Sequence, residues 1–324
     1  NNCVKERPAD PFVYLATMFK ECSSTTAGII SVTGREVYDN RGVATIAVDV
    51  ITGQGTFTAS VPVAETDEDP EGRGMLELRD KDGRVQNAIR NINNIISKAL
   101  INMNPTDQEA IDLALVDLDG SDRLTKMGSN ALLAVSTACC RAGAAEKAVP
   151  LYKHIADLSC FDGVNLPVPF FNMISGGKRA PKSLSNLNFQ EIMAIPVHAK
   201  SFREAMIAGI KLYASLGEVL MEKYPSFKLT DINEQGAYCP PIDNSEDAVQ
   251  ALCDAFEKAE LGSVFKIAID VAATSMVHPP EEGDDEEDVG IRYNLMWNNP
   301  DADPHILDAE GLNEHYNNLF ESFP

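Results

Sequence analysis

Over residues 188–273 the chain alternates strand-like and helix-like stretches, and this alternation limits the possible architecture more than any other feature. "NFQEIMAIPV" is short and rich in apolar residues, as a strand is. "SFREAMIAGIKLYASLGEVLMEKY" and "SEDAVQALCDAFEKA" return apolar residues at helical spacing, and "SVFKIAIDVAA" reads as a buried strand. Alternating β and α predicts a parallel sheet or barrel. Only 160 residues follow Val164, against roughly 250 in a complete barrel. The expectation is therefore the first part of an α/β barrel, over residues 161–324.

The first half has a different texture. "GIISVTGREVY", "ATIAVDVIT" and "GTFTASVPV" read as three strands, the last two joined as a hairpin at the break Gly53-Gln54-Gly55. From Val85 to about Leu158 the pattern is helical. Val85, Ile89, Ile92, Ile96 and Leu100 share a face, and "TDQEAIDLALVDLDG" is bounded by a capping Thr106 and by Gly120. "ALLAVSTACCRAGAA" has the small residues that close helix packing requires, and Cys139 and Cys140 belong to that packing. This predicts an α+β domain over residues 26–160, a three-stranded sheet plus helices. Ahead of it, residues 1–25 hold a short amphipathic helix capped by Asp10, with Pro11 at its first position. A helix this short must dock on something to be stable.

Charge excludes several functions. The net charge is −22, which repels nucleic acid and anionic membranes, so neither is a partner. Two inserts concentrate the acids: "VAETDEDPEGRG", and "HPPEEGDDEEDVG" with seven acids between Glu281 and Asp288. The second lacks EF-hand spacing and reads as a solvated loop. Seven cysteines without a CxxC pair read as free thiols of a reducing compartment, the cytoplasm. No apolar run reaches transmembrane length, and no signal peptide is evident. The chain starts with Asn, which reads as part of a longer protein.

The chemistry-bearing residues gather in the second half. Asp270 ends the apolar run "FKIAID", and in a barrel the C-terminal strand ends carry the site. Glu191 opens another strand beside Gln190, and "DINEQGAYCPP" sets Glu234 next to its amide analogue Gln235. Oxygen donors of this kind suit Mg²⁺ better than Zn²⁺. Lys178 and Arg179 read as a solvated basic turn. The five histidines, His154, His198, His278, His305 and His315, form no cluster in sequence, and Trp297 reads as packing.

In order and with similar spacing, "GREVYDNRGVATIAVDV", "NINNIISKAL", "DQEAIDLALVDLDG", "MGSNALLAVSTACCRAGAAEKAVPLYKHIADL", "LPVPFFNMISGG", "QEIMAIPVHAKSFREAM" and "KIAIDVAA" resemble enolase, from about Ile29 to Pro324. The resemblance implies an α+β domain followed by an enolase-type, TIM-like barrel, here incomplete. It also implies reversible dehydration of 2-phosphoglycerate to phosphoenolpyruvate with Mg²⁺. Asp270 stands where the family has its first metal-ligand Asp. Gln190 and Glu191 match the Gln-Glu pair near the leaving hydroxyl.

The chain departs from the family at three internal places. The loop after "SVP" is longer, acidic, and lacks the serine that binds the second Mg²⁺. "SGGKRAP" puts Lys178 and Arg179 where the catalytic His follows "NGGS". "NEQGAY" replaces Gly-Asp-Glu-Gly-Gly-Phe, so Gln235 takes the place of the catalytic Glu, with Glu234 as a candidate rescue. An amide is no general acid near neutral pH. The chain stops just before the family's next metal motif. Ala47 replaces the Glu that helps pair family homodimers, which puts that dimer in doubt. The N-terminal "RPADPFVYLATMF" resembles docking helices of kinase-anchoring and ciliary scaffold proteins and the sperm-type enolase-like branch. Two readings follow. One is a degenerate enolase-like interaction module, partnered through its N-terminal helix and acidic inserts in a ciliary or flagellar axoneme. The other is an active or weakly active phosphopyruvate hydratase.

Overall fold

A computed structural model describes residues 10–14, 28–63, 76–161, 163–279, 290–299 and 301–323. The two acidic inserts and most of the N-terminal helix lie outside these residues. What is described of that helix, residues 11–14, is capped by Asp10, whose carboxylate accepts from the N–H groups of Phe12 and Val13. The chain forms two compact units, Asn1–Val164 and Asn165–Pro324.

In the first unit, β1 (Ser31–Tyr38), β2 (Ala44–Thr52) and β3 (Gly55–Ser60) form an antiparallel meander in the order β1-β2-β3. The expected hairpin forms, and because Thr52 pairs with Gly55 its turn is Gly53 and Gln54 alone, with Gly55 already in β3. Among the described residues four helices follow the sheet, the first of them interrupted. α1 (Gln86–Asn91) passes through a π-helical stretch, Ile92–Ile96, into α2 (Ser97–Leu100). Next come α3 (Gln108–Asp119), α4 (Ser129–Glu146) and α5 (Leu151–Leu158). Ile46, Val48 and Val50 of β2 are fully buried in one cluster with Ile92, Ile96, Leu115, Ala134 and Val135. Each such β2 side chain contributes about 1.5–3 kcal/mol of apolar burial.

Two local features shape this packing. The π-helical stretch turns Asn93 toward the edge strand β1, where its amide accepts from the Gly34 N–H at 2.7 Å and donates to the Gly34 carbonyl at 3.2 Å. On α4, a Cβ at Gly143 would lie 2.3 Å from the Pro105 carbonyl oxygen and 2.9 Å from Nε2 of His154, so only glycine permits that approach. The expected cap of α3 shifts by one residue. Asp107 accepts from the Ala110 N–H, whereas the Thr106 hydroxyl turns back to Asn104. Asp wins because its carboxylate reaches the open N–H from one residue nearer. Gly120 closes the helix in the left-handed region, as its type requires.

The second unit builds on β4 (Phe171–Ser175), β5 (Glu191–Ile195) and β6 (Lys266–Asp270), in the order β4-β5-β6. α6 (Phe202–Lys223) and α7 (Ser245–Lys258) connect β5 to β6, and their inner faces make one cluster with the sheet. β7 (Val277–His278), β8 (Arg292–Asn294) and β9 (Ile306–Leu307) make a small second sheet, and α8 (Ala309–Ser322) follows.

Two expectations need correction. The pairs β4–β5 and β5–β6 are antiparallel, not parallel. One helix between strands returns the chain to its starting end and makes them parallel, but here two helices, α6 and α7, lie between β5 and β6. The chain therefore enters β6 from the opposite end. β6 is also not buried: Ile267, Ala268 and Ile269 are half-exposed, and Lys266 and Asp270 are exposed. Among the described residues the three strands do not close on themselves.

Candidate active site

Antiparallel pairing places the start of β5 against the end of β6. Glu191, the first residue of β5, therefore stands in register with Asp270, the last residue of β6, and Ser175 flanks Glu191 on the β4 side. Two carboxylates and a buried hydroxyl share one rim of the sheet. The Gln190 N–H donates to the Asp270 carbonyl at 3.1 Å, which pins the two strand ends together.

The basic turn is stitched to the same rim. Gly176 donates its N–H to the Gln190 carbonyl and Gly177 to the Leu187 carbonyl, at 3.1 and 2.7 Å. A Cβ at Gly176 would lie 2.5 Å from the Phe189 carbonyl oxygen, and Gly177 has φ +54°. The short 3₁₀ turn Gly177–Arg179 can therefore sit directly beneath the start of β5. The expectation of a solvated turn holds only for Lys178, which is exposed. Arg179 is largely covered, and its guanidinium lies 3.7 Å from the Glu234 carboxylate.

The segment bearing Glu234 and Gln235 runs beside β4 on its free side. The Ser175 N–H donates to the Tyr238 carbonyl, and the Tyr238 N–H donates to the Met173 carbonyl. Its turn is built on Asn233, whose side-chain oxygen accepts from the N–H groups of Gln235 and Ala237, both at 3.0 Å. Gly236 supplies the positive φ, +88°. The Tyr213 hydroxyl, from α6, donates to the Gly236 carbonyl at 2.6 Å. So held, the two neighbours diverge. Glu234 meets Arg179, and Oε1 of Gln235 accepts from Nδ2 of Asn172 at 3.3 Å. That Asn172 amide also donates to the Ser175 hydroxyl at 3.0 Å.

All six residues singled out from the sequence, Arg179, Gln190, Glu191, Glu234, Gln235 and Asp270, thus belong to one strand-end neighbourhood of the second unit. Sequence reasoning missed Asn172, Ser175, Tyr213 and Asn233. An Asn in an apolar strand and a Tyr on a long helix carry no local signal of the turn they fasten.

The electrostatics are those of crowded acids. Burial pushes the Glu191 carboxyl above the usual carboxylate range. The Asp270 charge adds to this, and Arg179 opposes it. Asp270 is exposed and already accepts the Ala272 N–H at 2.9 Å. Among the described residues, no three His, Cys, Asp or Glu side chains group to hold a metal ion. The oxygen donors present still fit Mg²⁺, which binds through one or two carboxylates and keeps several waters. A cation at Asp270 would also relieve the repulsion that raises Glu191. Oε1 of Gln190 and Oδ1 of Asn172 are buried and accept no hydrogen bond among the described residues.

Comparison with known proteins covers both units. Residues 29–155 match the enolase N-terminal domain, and residues 163–324 match the enolase C-terminal TIM barrel domain. Cytosolic enolase 3 of Arabidopsis thaliana is 35% identical over 331 aligned residues, covering 100% of this chain and 66% of that protein. The chain thus spans about two thirds of the length of the curated relative it matches. Among the described residues no helix is long and apolar enough to cross a membrane.

Proposed function

The chain belongs to the enolase family, and we propose that it keeps the family scaffold around a site disabled for proton exchange, serving as an interaction module. One observation supports this reading: Gln235, which by the resemblance takes the place of the family's catalytic glutamate, accepts a hydrogen bond from Asn172 through its amide oxygen. Neutral and non-titrating, it cannot deliver a proton to a leaving hydroxyl. Glu234 is a poor replacement, because the turn sends it to the Arg179 guanidinium instead. By the resemblance, Lys178 and Arg179 take the place of the family's histidine, and a guanidinium stays protonated through the physiological range.

Asp270 is the residue that would hold Mg²⁺, and the ion would supply stabilisation of charge developing on a bound carboxylate. Glu191 and Gln190 would face the departing hydroxyl. Burial and the neighbouring Asp270 favour the protonated Glu191 carboxyl, the form a general acid needs. This retained half of the machinery supports a second reading, a weakly active phosphopyruvate hydratase. On the first reading, partners dock through the N-terminal helix and the acidic inserts, in the cytoplasm of a cilium or flagellum.

Phosphoenolpyruvate absorbance with Mg²⁺ and 2-phosphoglycerate, on the full-length protein, separates the two. The expected rate is at least about 10²-fold below an ordinary kcat of about 10 s⁻¹. Gln235→Glu should raise it, since Asn172 can donate to a carboxylate as well as to an amide. Turnover within about tenfold of the ordinary value by the unaltered protein would sink the disabled-site reading. Deletion of the first 25 residues should release bound partners in a pull-down, and an unchanged partner set would remove the docking role.

A further inference from the structure

The first unit carries a feature that the strand-end chemistry does not use. Between α3 and α4 lies an apolar groove of about 380 Å³. Leu115 and Leu132 are its buried lining, Val61 and Leu124 also line it, and Val116 on α3 and Leu133 on α4 are 49% and 56% exposed. One end is fixed by Gln108, whose amide donates to both Asp112 and the Ser136 hydroxyl, at 3.0 Å each, and so ties α3 to α4.

The charged side chains of α3 beside the groove are all acidic. Glu77 and Asp112 line it, Glu77 being paired with Arg79 at 2.7 Å. α3 carries Glu109, Asp112, Asp117 and Asp119 and no Lys or Arg. Asp119 turns inward to the Met127 N–H, while Glu109 and Asp117 are exposed. On α4 the first charged residue is Arg141, three turns into the helix. Arg123 and Lys126 lie in the intervening loop and outside the lining.

We propose that this groove docks an amphipathic helix of a partner protein, with apolar anchors seated over Leu115 and Leu132 and Lys or Arg side chains facing the acids of α3. Helix-in-groove recognition needs apolar surface between two flanking elements, and here α3 and α4 both contribute to the lining. Charge complementarity selects a basic helix and, through the field of the acidic chain, speeds encounter. The inference rests on the first unit alone and is independent of turnover at Glu191 and Asp270.

The probe is a labelled synthetic Leu/Lys amphipathic peptide of about four helical turns, titrated against the full chain by fluorescence anisotropy. The controls are a scrambled peptide of equal composition and a Leu/Glu counterpart. The double variant Val116→Gln with Leu133→Gln changes only exposed positions and keeps the helices' charge. It should weaken the Leu/Lys peptide about tenfold or more, whereas Ile210→Gln, at an exposed position of the second unit, should leave affinity unchanged. Glu109→Gln with Asp117→Asn should slow association and flatten the salt dependence. Equal binding of the scrambled peptide would reduce the interaction to bulk charge and overturn the proposal. So would an unchanged affinity in the double groove variant. Uptake of a small neutral apolar dye that the double variant abolishes, with no peptide bound, would make the groove a small-ligand site instead.

Discussion

Glu191 and Asp270 stand directly opposite each other across the antiparallel pair of β5 and β6. Like charges at such positions oppose folding by a fraction of a kcal/mol, and a catalytic site can use the same repulsion to hold a proton. Glu191 has its folded pKa raised, by burial first and by Asp270 second. Its contribution to stability is therefore present below the ordinary carboxylate range and is lost as pH rises through the raised value. Glu191→Gln should stabilise the protein by about 0.5 kcal/mol near pH 7 and by nothing near pH 4. Denaturant midpoints at the two pH values check this, and an equal gain at both would refute the coupling.

Glu36 gives the opposite sign. It accepts from the Arg84 guanidinium at 2.6 Å and from the Gln86 side-chain amide at 3.0 Å, and these lower its pKa from 4.5 to about 2, with the Arg84 bond the largest cause. Its stabilisation exists above pH 4.5 and disappears as pH falls toward about 2. Glu36→Gln should lower the denaturant midpoint at neutral pH and leave the acid limit unchanged.

His154 is fully buried, and neither ring nitrogen has a hydrogen-bond partner among the described residues. Burial lowers its pKa, Lys147 lowers it further, and Asp157 works against both. A depressed histidine contributes stability above its unfolded value, near 6.5, that is lost as pH falls below it. His154→Leu should flatten the fall in thermal midpoint between about pH 6.5 and 5. An unchanged slope would place the acid sensitivity elsewhere.

Gly143→Ala should cost about 1–3 kcal/mol, because the new methyl would press on the Pro105 carbonyl. Thermal unfolding measures it. Gly262→Ala, where a Cβ meets nothing within 4 Å, is the control and should stay within about 0.5 kcal/mol.

Much of this was legible in the residues because local signals dominated. The meander of the first unit follows from β-branched runs and a two-residue turn. The helices follow from apolar spacing and small residues, and the positions of Gln190, Glu191 and Asp270 follow from where strands begin and end. Strand direction is not legible from β/α alternation alone, because it depends on the number of helices between β5 and β6. From the sequence Arg179 reads as a surface residue, because nothing in "SGGKRAP" announces that Glu234, 55 residues later, returns beside it. The links through Asn172 and Tyr213 are wholly tertiary and leave no trace in spacing.

β1 is an outer strand of its sheet, and outer strands invite pairing with other chains. At mid-strand, the outward-facing backbone of Gly34 already has both of its partners in the Asn93 side chain. A neighbouring molecule attempting to extend the meander would find that rung taken and would have to evict an amide anchored in a wound helix. One widened helical turn thus works as a plug against aggregation along the sheet.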